Sequence, residues 1–225
     1  VRPLFLLLIA LPLFASAQEP PHSNFYAAIG DYDCSTLWRA DSILDEDNGQ
    51  KALFPEPLGY IGFNFQRFRI HYKTVRKNVA DPYVYEVTGE TKVKENICPF
   101  TGTITIVRAR LSKQTVKEPY KQGELTCTIR FFEDSAYRGS GAIEGTLVTD
   151  FCLDANGRLL YDAILLVADG YSNNRATTLW RSYRKGIRKI CNWGDYRIPD
   201  SKGLDVGAGI FMPDPKYKQY GWQDY

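Results

Sequence analysis

Tyr83-Val84-Tyr85-Glu86-Val87-Thr88-Gly89-Glu90-Thr91-Lys92-Val93, and after it Phe100-Thr101-Gly102-Thr103-Ile104-Thr105-Ile106, is the stretch whose reading decides the fold. In the first segment Tyr83, Tyr85, Val87, Gly89, Thr91 and Val93 fall on one face, and Glu86, Thr88, Glu90, Lys92 and Lys94 fall on the other. That period of two marks a half-buried antiparallel strand. In the second segment Phe100, Gly102, Ile104 and Ile106 oppose Thr101, Thr103 and Thr105, in a run dense in β-branched residues. A hairpin from Tyr83 to Leu111, turning near Asn96 to Pro99, follows.

Working outward, the same alternation recurs at Leu125 to Phe131 and Ile143 to Leu153, with Gly139-Ser140-Gly141 between them. Asn156-Gly157 is a two-residue hairpin signal, and it joins Phe151 to a strand from Leu159 to Val167. Thr178 to Tyr183 and Ile187 to Trp193 form a further hairpin around Lys185-Gly186. Upstream, Ile61, Phe63 and Phe65 are apolar at odd positions, whereas Phe68, Ile70 and Tyr72 are apolar at even ones. A β-bulge near Gln66-Arg67 would put both sets on one face of a single long strand. His71 then points away from the core. Ser35 is positioned to cap one short helix with Leu37, Ala40 and Leu44 on a shared face, before the acidic Asp45-Glu46-Asp47-Asn48-Gly49 turn. That cluster lacks the remaining ligands of a calcium loop. Seven or eight short strands without alternating helices predict an all-β, mainly antiparallel fold. An up-and-down barrel of lipocalin or calycin type fits best, with a β-sandwich as the alternative.

Residues 1–17 read as a secretory signal peptide: Arg2 supplies the charged start, Leu4 to Phe14 the apolar centre, and Ala15-Ser16-Ala17 the cleavage site. The apolar centre is too short to span a bilayer, so no transmembrane segment is expected after cleavage. Residues 18–58 form an irregular lead-in, 59–196 the barrel, and 197–225 a tail rich in Gly, Pro and aromatics. Phe211, Tyr217, Tyr220, Trp222 and Tyr225 carry too much apolar area to leave in water, so the tail is expected to pack on the same domain.

The chain has 225 residues and a formal net charge of +2, one unit less without Arg2. Near-neutrality argues against nucleic acid as a partner. Arg181, Arg184, Lys185, Arg188 and Lys189 cluster at one turn, read as a solvated hairpin tip, with an anion or lipid-headgroup site as the alternative. Cys34, Cys98, Cys127, Cys152 and Cys191 have no zinc spacing, and in an exported protein disulfides are the expected use. An odd count leaves one thiol over. Cys127, in phase with Leu125, Ile129 and Phe131, is the candidate buried thiol.

Signatures of catalysis are missing: no G-x-S-x-G elbow, no phosphate loop and no H-E-x-x-H pair, so no cofactor or metal is expected. Asp162 opposes an apolar run and is expected either on the wetter face or hydrogen-bonded. The polar cluster that draws attention comprises Asp169, Asn173, Asn174, Trp180, Trp193, Asp195 and Arg197. Asp and Asn oxygens suit hydroxyl-rich ligands or calcium, and indoles offer flat faces to sugars or apolar molecules. Turn chemistry and a tryptophan-plugged barrel end explain the same residues without a ligand.

Several blocks together carry a resemblance: Phe54-Pro55-Glu56-Pro57-Leu58-Gly59, Gln66-Arg67-Phe68-Arg69-Ile70-His71-Tyr72, Thr91-Lys92-Val93-Lys94, Gly170-Tyr171-Ser172-Asn173-Asn174, Cys191-Asn192-Trp193-Gly194-Asp195-Tyr196-Arg197-Ile198-Pro199 and Gly221-Trp222. Over nearly all of the mature sequence the chain resembles a group of uncharacterised exported proteins of Gram-negative bacteria. At fold level it looks like the calycin or lipocalin barrels, without their amino-terminal Gly-x-Trp. The resemblance implies export to the periplasm or beyond and a single domain, and transfers no catalytic residue. Three functions are then open. The first is an exported binding protein for a small apolar or carbohydrate ligand in the barrel mouth. The second is an envelope-associated structural or interaction protein whose barrel is filled by Tyr83, Tyr85, Phe100 and Phe131. The third is a carboxylate-dependent glycoside hydrolase.

Overall fold

The computed structural model describes residues 22–45 and 49–225; the expected signal peptide and the acidic stretch 46–48 lie outside the described residues. Twelve strands are defined in chain order: β1 (His22–Asn24), β2 (Ser42–Asp45), β3 (Gln50–Leu53), β4 (Leu58–Ile61), β5 (Gln66–Lys77), β6 (Val84–Val93), β7 (Asn96–Ser112), β8 (Lys121–Glu133), β9 (Gly141–Leu153), β10 (Leu159–Tyr161), β11 (Asn173–Ser182) and β12 (Arg188–Asp195). Among the described residues helix is limited to α1 (Tyr26–Ile29) and the 3-10 turns Ser35–Leu37 and Pro215–Tyr220.

From β4 onward each ring strand pairs antiparallel with the next, and β12 returns to β4 through Asn192 opposite Tyr60 and Trp193 opposite Gly59. The result is a closed up-and-down barrel of eight strands: β4 to β9, β11 and β12. Closure removes the edges that an open sheet would expose. The long β7 outruns β6, and its spare edge is covered by β1, with Asn24 opposite Arg110.

The hairpin of β6 and β7 forms as its alternation predicts. Tyr85, Val87 and Thr91 are buried, and so are Phe100, Ile104 and Ile106 across from them. The turn itself falls earlier than expected, at Lys94-Glu95, because Asn96 already pairs with Val93. Inside the barrel, aromatic rings from several strands meet. Phe100 stacks on Phe131 at 4.8 Å between centroids, Tyr72 meets both edge-on, and Trp193 lies over Phe131 and Phe68. Gly89 lets this happen: a Cβ there would come within 2.6 Å of the Phe100 ring. Tyr83 is only partly buried: it packs against the same core, stacked on Tyr26 at 4.4 Å.

Three further expectations are corrected. The long strand from Ile61 to Val75 is two strands: Gly62 to Phe65 is a hairpin turn, with Gly62 at φ 78° and Phe63 96% exposed. The change of apolar phase therefore marks a turn, and the bulge of β5 lies at Tyr72 to Thr74 instead. The strand from Leu159 stops at Tyr161, leaving Val167 81% exposed. Its partner edge on β9 is taken from Val148 onward by β11, so no backbone partners remain for it. No disulfide is formed among the described residues, and all five cysteines are buried. In the strand registers Cys98 stands opposite Thr91, Cys127 opposite Ile106 and Leu147, Cys152 opposite Gln122 and Leu160, and Cys191 opposite Ile61, so no two of the four strand cysteines are register partners. Burial raises the thiol pKa of Cys127 and Cys191, which makes them inert side chains of the core.

The expected helix from Ser35 shrinks to a single 3-10 turn without a side-chain cap, and Leu44 belongs to β2. This lead-in closes one end of the barrel with Ile29, Cys34, Leu37 and Trp38, all buried. The tail packs on the outside of β4. Ile198, Leu204, Phe211 and Trp222 surround Tyr60 in a second small core, and the Trp222 indole N–H donates to the Phe65 carbonyl at 2.8 Å.

Candidate functional site

The other end of the barrel is open. Four hairpins reach it: β4 to β5, β6 to β7, β8 to β9 and β11 to β12. Between them lies a cavity of about 860 Å³, within the range of small-molecule sites. Phe68, Ile61, Val93 and Trp180 supply its apolar wall, and Thr91 and Glu133 the polar part.

Trp180 is built into place. Its alternation along β11 turns it inward, opposite Ile143 of β9. Its indole N–H donates to Glu133 Oε2 at 2.9 Å. The neighbouring Gly141 leaves the space the ring occupies, since a Cβ there would sit 2.6 Å from the indole. Glu133 is buried yet fully engaged: it accepts from the Thr91 hydroxyl, from Gly141 N–H at 2.7 Å and from Trp180. A buried carboxylate with this many donors holds its geometry, where an unpartnered one would be expelled. Lys94, Arg138, Arg184, Lys185 and Lys189 border the cavity, and the Lys189 ammonium stands 5.9 Å from the Trp180 ring centroid.

The seven residues singled out in the sequence are spread over five places. Trp180 lines the open cavity, while Trp193 lies deeper, in the aromatic core. Arg197 clamps the tail: it pairs with Asp205 at 2.7 Å and donates to the carbonyls of Gly207, Ala208 and Gly209. Asp169 lies in the loop beside Gly209.

Asn173, Asn174 and Asp195 are brought together, toward the closed end. Asn173 and Asn174 begin β11 and are not loop residues. The Asn173 side chain accepts from Asp150 N–H at 2.8 Å and donates to its carbonyl at 2.9 Å, standing in for a strand partner where the register of β11 shifts. Asn174 adopts φ 45°, a left-handed conformation that asparagine tolerates. Its amide donates to the Leu37 carbonyl at 2.9 Å and to Asp195 Oδ2 at 2.7 Å, and its oxygen accepts from Thr149. Thr149 in turn accepts from the Trp38 indole at 2.9 Å, and the Tyr161 hydroxyl donates to Asp195 Oδ2 at 3.0 Å. This network ties the lead-in to the barrel wall. Asp195 Oδ1 is buried with no hydrogen-bond partner among the described residues, and burial pushes the carboxyl up to about 7 despite the bonds from Asn174 and Tyr161.

A second cavity of about 470 Å³ holds Asp150, Asp162 and Asp169. Asp162 is buried and hydrogen-bonded as expected, by the Gln122 amide at 2.6 Å and Ile164 N–H at 3.0 Å, and burial raises its pKa. Asp150 is held by both ends of the Arg175 guanidinium. His71 is directed outward to Glu56, at 3.0 Å. Among the described residues no group of three or more His, Cys, Asp or Glu side chains is placed to hold a metal ion, and no helix is long and apolar enough to cross a membrane.

Sequence reasoning missed Glu133 and Gly141. A signal existed for Glu133: it continues the inward phase of Leu125, Cys127, Ile129 and Phe131, and a carboxylate in such phase must be held by donors. Gly141 had no readable signal beyond a turn, because its role depends on where Trp180 lies. Of the resemblance stated above, the antiparallel barrel is the part the structure carries. No family model, curated protein or solved structure matches the chain.

Proposed function

We propose that the protein is an exported binding protein of the bacterial envelope that takes a small, largely apolar molecule in the open mouth of its barrel. The observation that carries this reading is the cavity of about 860 Å³ bounded by Phe68, Val93 and the immobilised face of Trp180. The buried part of its wall favours the apolar over the carbohydrate alternative, since Ile61, Phe68 and Trp180 are apolar and the buried Thr91 and Glu133 bond each other, Gly141 and Trp180. Because the aromatic core fills the barrel below, the ligand sits at the mouth and does not run through the lumen.

The test is titration of residues 18–225 with N-phenylnaphthylamine, followed by fluorescence. The native protein binds the dye, and Val93→Trp or Ile187→Trp, each placing a large ring at the mouth, weakens binding at least about tenfold with the thermal midpoint unchanged. Absence of saturable binding, or binding indifferent to both variants, overturns the proposal.

A second reading, an envelope interaction protein, is favoured by one observation. Leu179 and Ile190 form an outward cross-strand pair, each about half exposed, beside the hairpin that carries Phe63. It predicts association that Leu179→Lys with Ile190→Lys abolishes.

A further inference from the structure

The cations around the mouth are the feature that the apolar reading leaves unused. Lys94, Arg138, Arg184, Lys185 and Lys189 converge from three different hairpins, and all five are exposed. None takes part in an ion pair among the described residues, whereas cations elsewhere on the barrel do: Lys73 with Glu90, Arg110 with Glu124 and Arg175 with Asp150. The acidic groups at this end among the described residues are fewer than these cations, and none pairs with them. Glu133 is buried on its three donors, Glu95 faces Lys92, and Asp134 accepts from the turn amide of Ala136. Unpaired like charges held together repel one another, and a low-dielectric wall beside them focuses their field over the opening.

On the reading that the mouth holds an apolar molecule, we infer that its ligand is a single-chain anionic amphiphile, with the apolar body against Phe68 and Trp180 and the carboxylate, sulfonate or phosphate head among the rim cations. The orientation follows from Glu133. Its fixed carboxylate at the inner end of the cavity disfavours a buried anionic head, while the rim attracts one. The polar part of the ligand therefore stays at the water boundary and its tail takes the dry wall. Exposed cations contribute modestly one at a time and are screened by salt, so the preference for an anion comes from several acting together and weakens as ionic strength rises.

The experiment compares two probes with one apolar body: neutral N-phenylnaphthylamine and anionic anilinonaphthalene sulfonate, with dodecanol and dodecanoate as competitors. The expected result is that the sulfonate binds about tenfold tighter at low salt, and that about 0.5 M salt shrinks the difference to less than about threefold. Lys185→Glu with Lys189→Glu removes the preference. Arg181→Glu with Arg188→Glu keeps it, because that cross-strand pair belongs to the same hairpin and changes net charge equally, yet does not line the cavity. Equal binding of the two probes overturns this inference and leaves the mouth site standing. Failure of both to bind overturns the mouth site itself. A preference lost equally in the two charge-reversal variants reports general attraction to a cationic protein and also overturns the inference. Circular dichroism on each variant confirms that the comparison is between folded proteins.

Discussion

The two ends of the barrel are built by opposite means. At the closed end, hydrogen bonds of fixed direction join Trp38, Thr149, Asn174, Tyr161 and Asp195, and the lead-in fills the space above them. At the open end, one tryptophan is held by one carboxylate, a cavity of about 860 Å³ lies above it, and the five cations around the rim make no ion pair among the described residues. The difference shows how a small barrel divides its labour. Polar groups joined by hydrogen bonds in a dry interior specify one arrangement even with Asp195 Oδ1 left over, whereas cations without ion-pair partners beside an apolar wall leave interaction free energy for something that arrives later.

The largest effect that would break this comparison is expected at the closed end. Trp38→Ala removes a fully packed indole and leaves Thr149 with one donor fewer, and it should destabilise the protein by about 3–5 kcal/mol in urea denaturation. A loss below about 1 kcal/mol would mean that the lead-in is an ornament on a barrel that stands without it.

Asp195 sharpens the comparison through pH. Its folded pKa, near 7, lies above the value of about 3.9 expected in the unfolded chain. The folded state therefore keeps a proton that the unfolded state releases, and this contribution is fully present below about pH 4 and lost as pH rises through about 7. Asp195→Asn should abolish that dependence, gaining roughly 2–4 kcal/mol on the native protein between about pH 4 and pH 8. Parallel stability curves for the two proteins would show that Asp195 ionises without cost.

The smallest effect belongs to the open end. Gly141→Ala drives a Cβ against the Arg181 carbonyl and the Trp180 ring and should cost about 1–3 kcal/mol, through displacement of β11 together with the indole it carries. Dye affinity should fall with it. Unchanged affinity alongside lost stability would separate Trp180 from the ligand wall.

How far residues alone carried the interpretation is clearest in particular strands. Tyr85, Val87 and Thr91 against Glu86, Thr88 and Glu90 needed only their alternation, because a pleated strand sends successive side chains to opposite faces. The same rule misled at Ile61 to Phe68, where a change of phase has two physical causes, a bulge or a turn, and the pattern is identical for both. It misled again at Leu159 to Val167, where apolar alternation continues but backbone partners do not. The cysteines were read through compartment, yet a bridge needs two sulfurs at close range, and no two of the four strand cysteines are register partners. For the open site, Trp180 and the basic cluster at Arg184, Lys185 and Lys189 were visible separately. Nothing in their spacing said that they border the same opening as Lys94 and Arg138.

By itself the sequence determined that this chain forms antiparallel strands with one oily and one wet face, because hydrophobic periodicity is a local property and survives whatever the strands pair with. It also determined that the aromatic tail packs on the same domain, where Phe211 and Trp222 are buried. Which strands meet, that the ring closes through β12 onto β4, which end is sealed, and which charges share a mouth were decided only by the tertiary structure. Those are relations between residues far apart in the chain, fixed by register and closure together, and no stretch of sequence holds both partners.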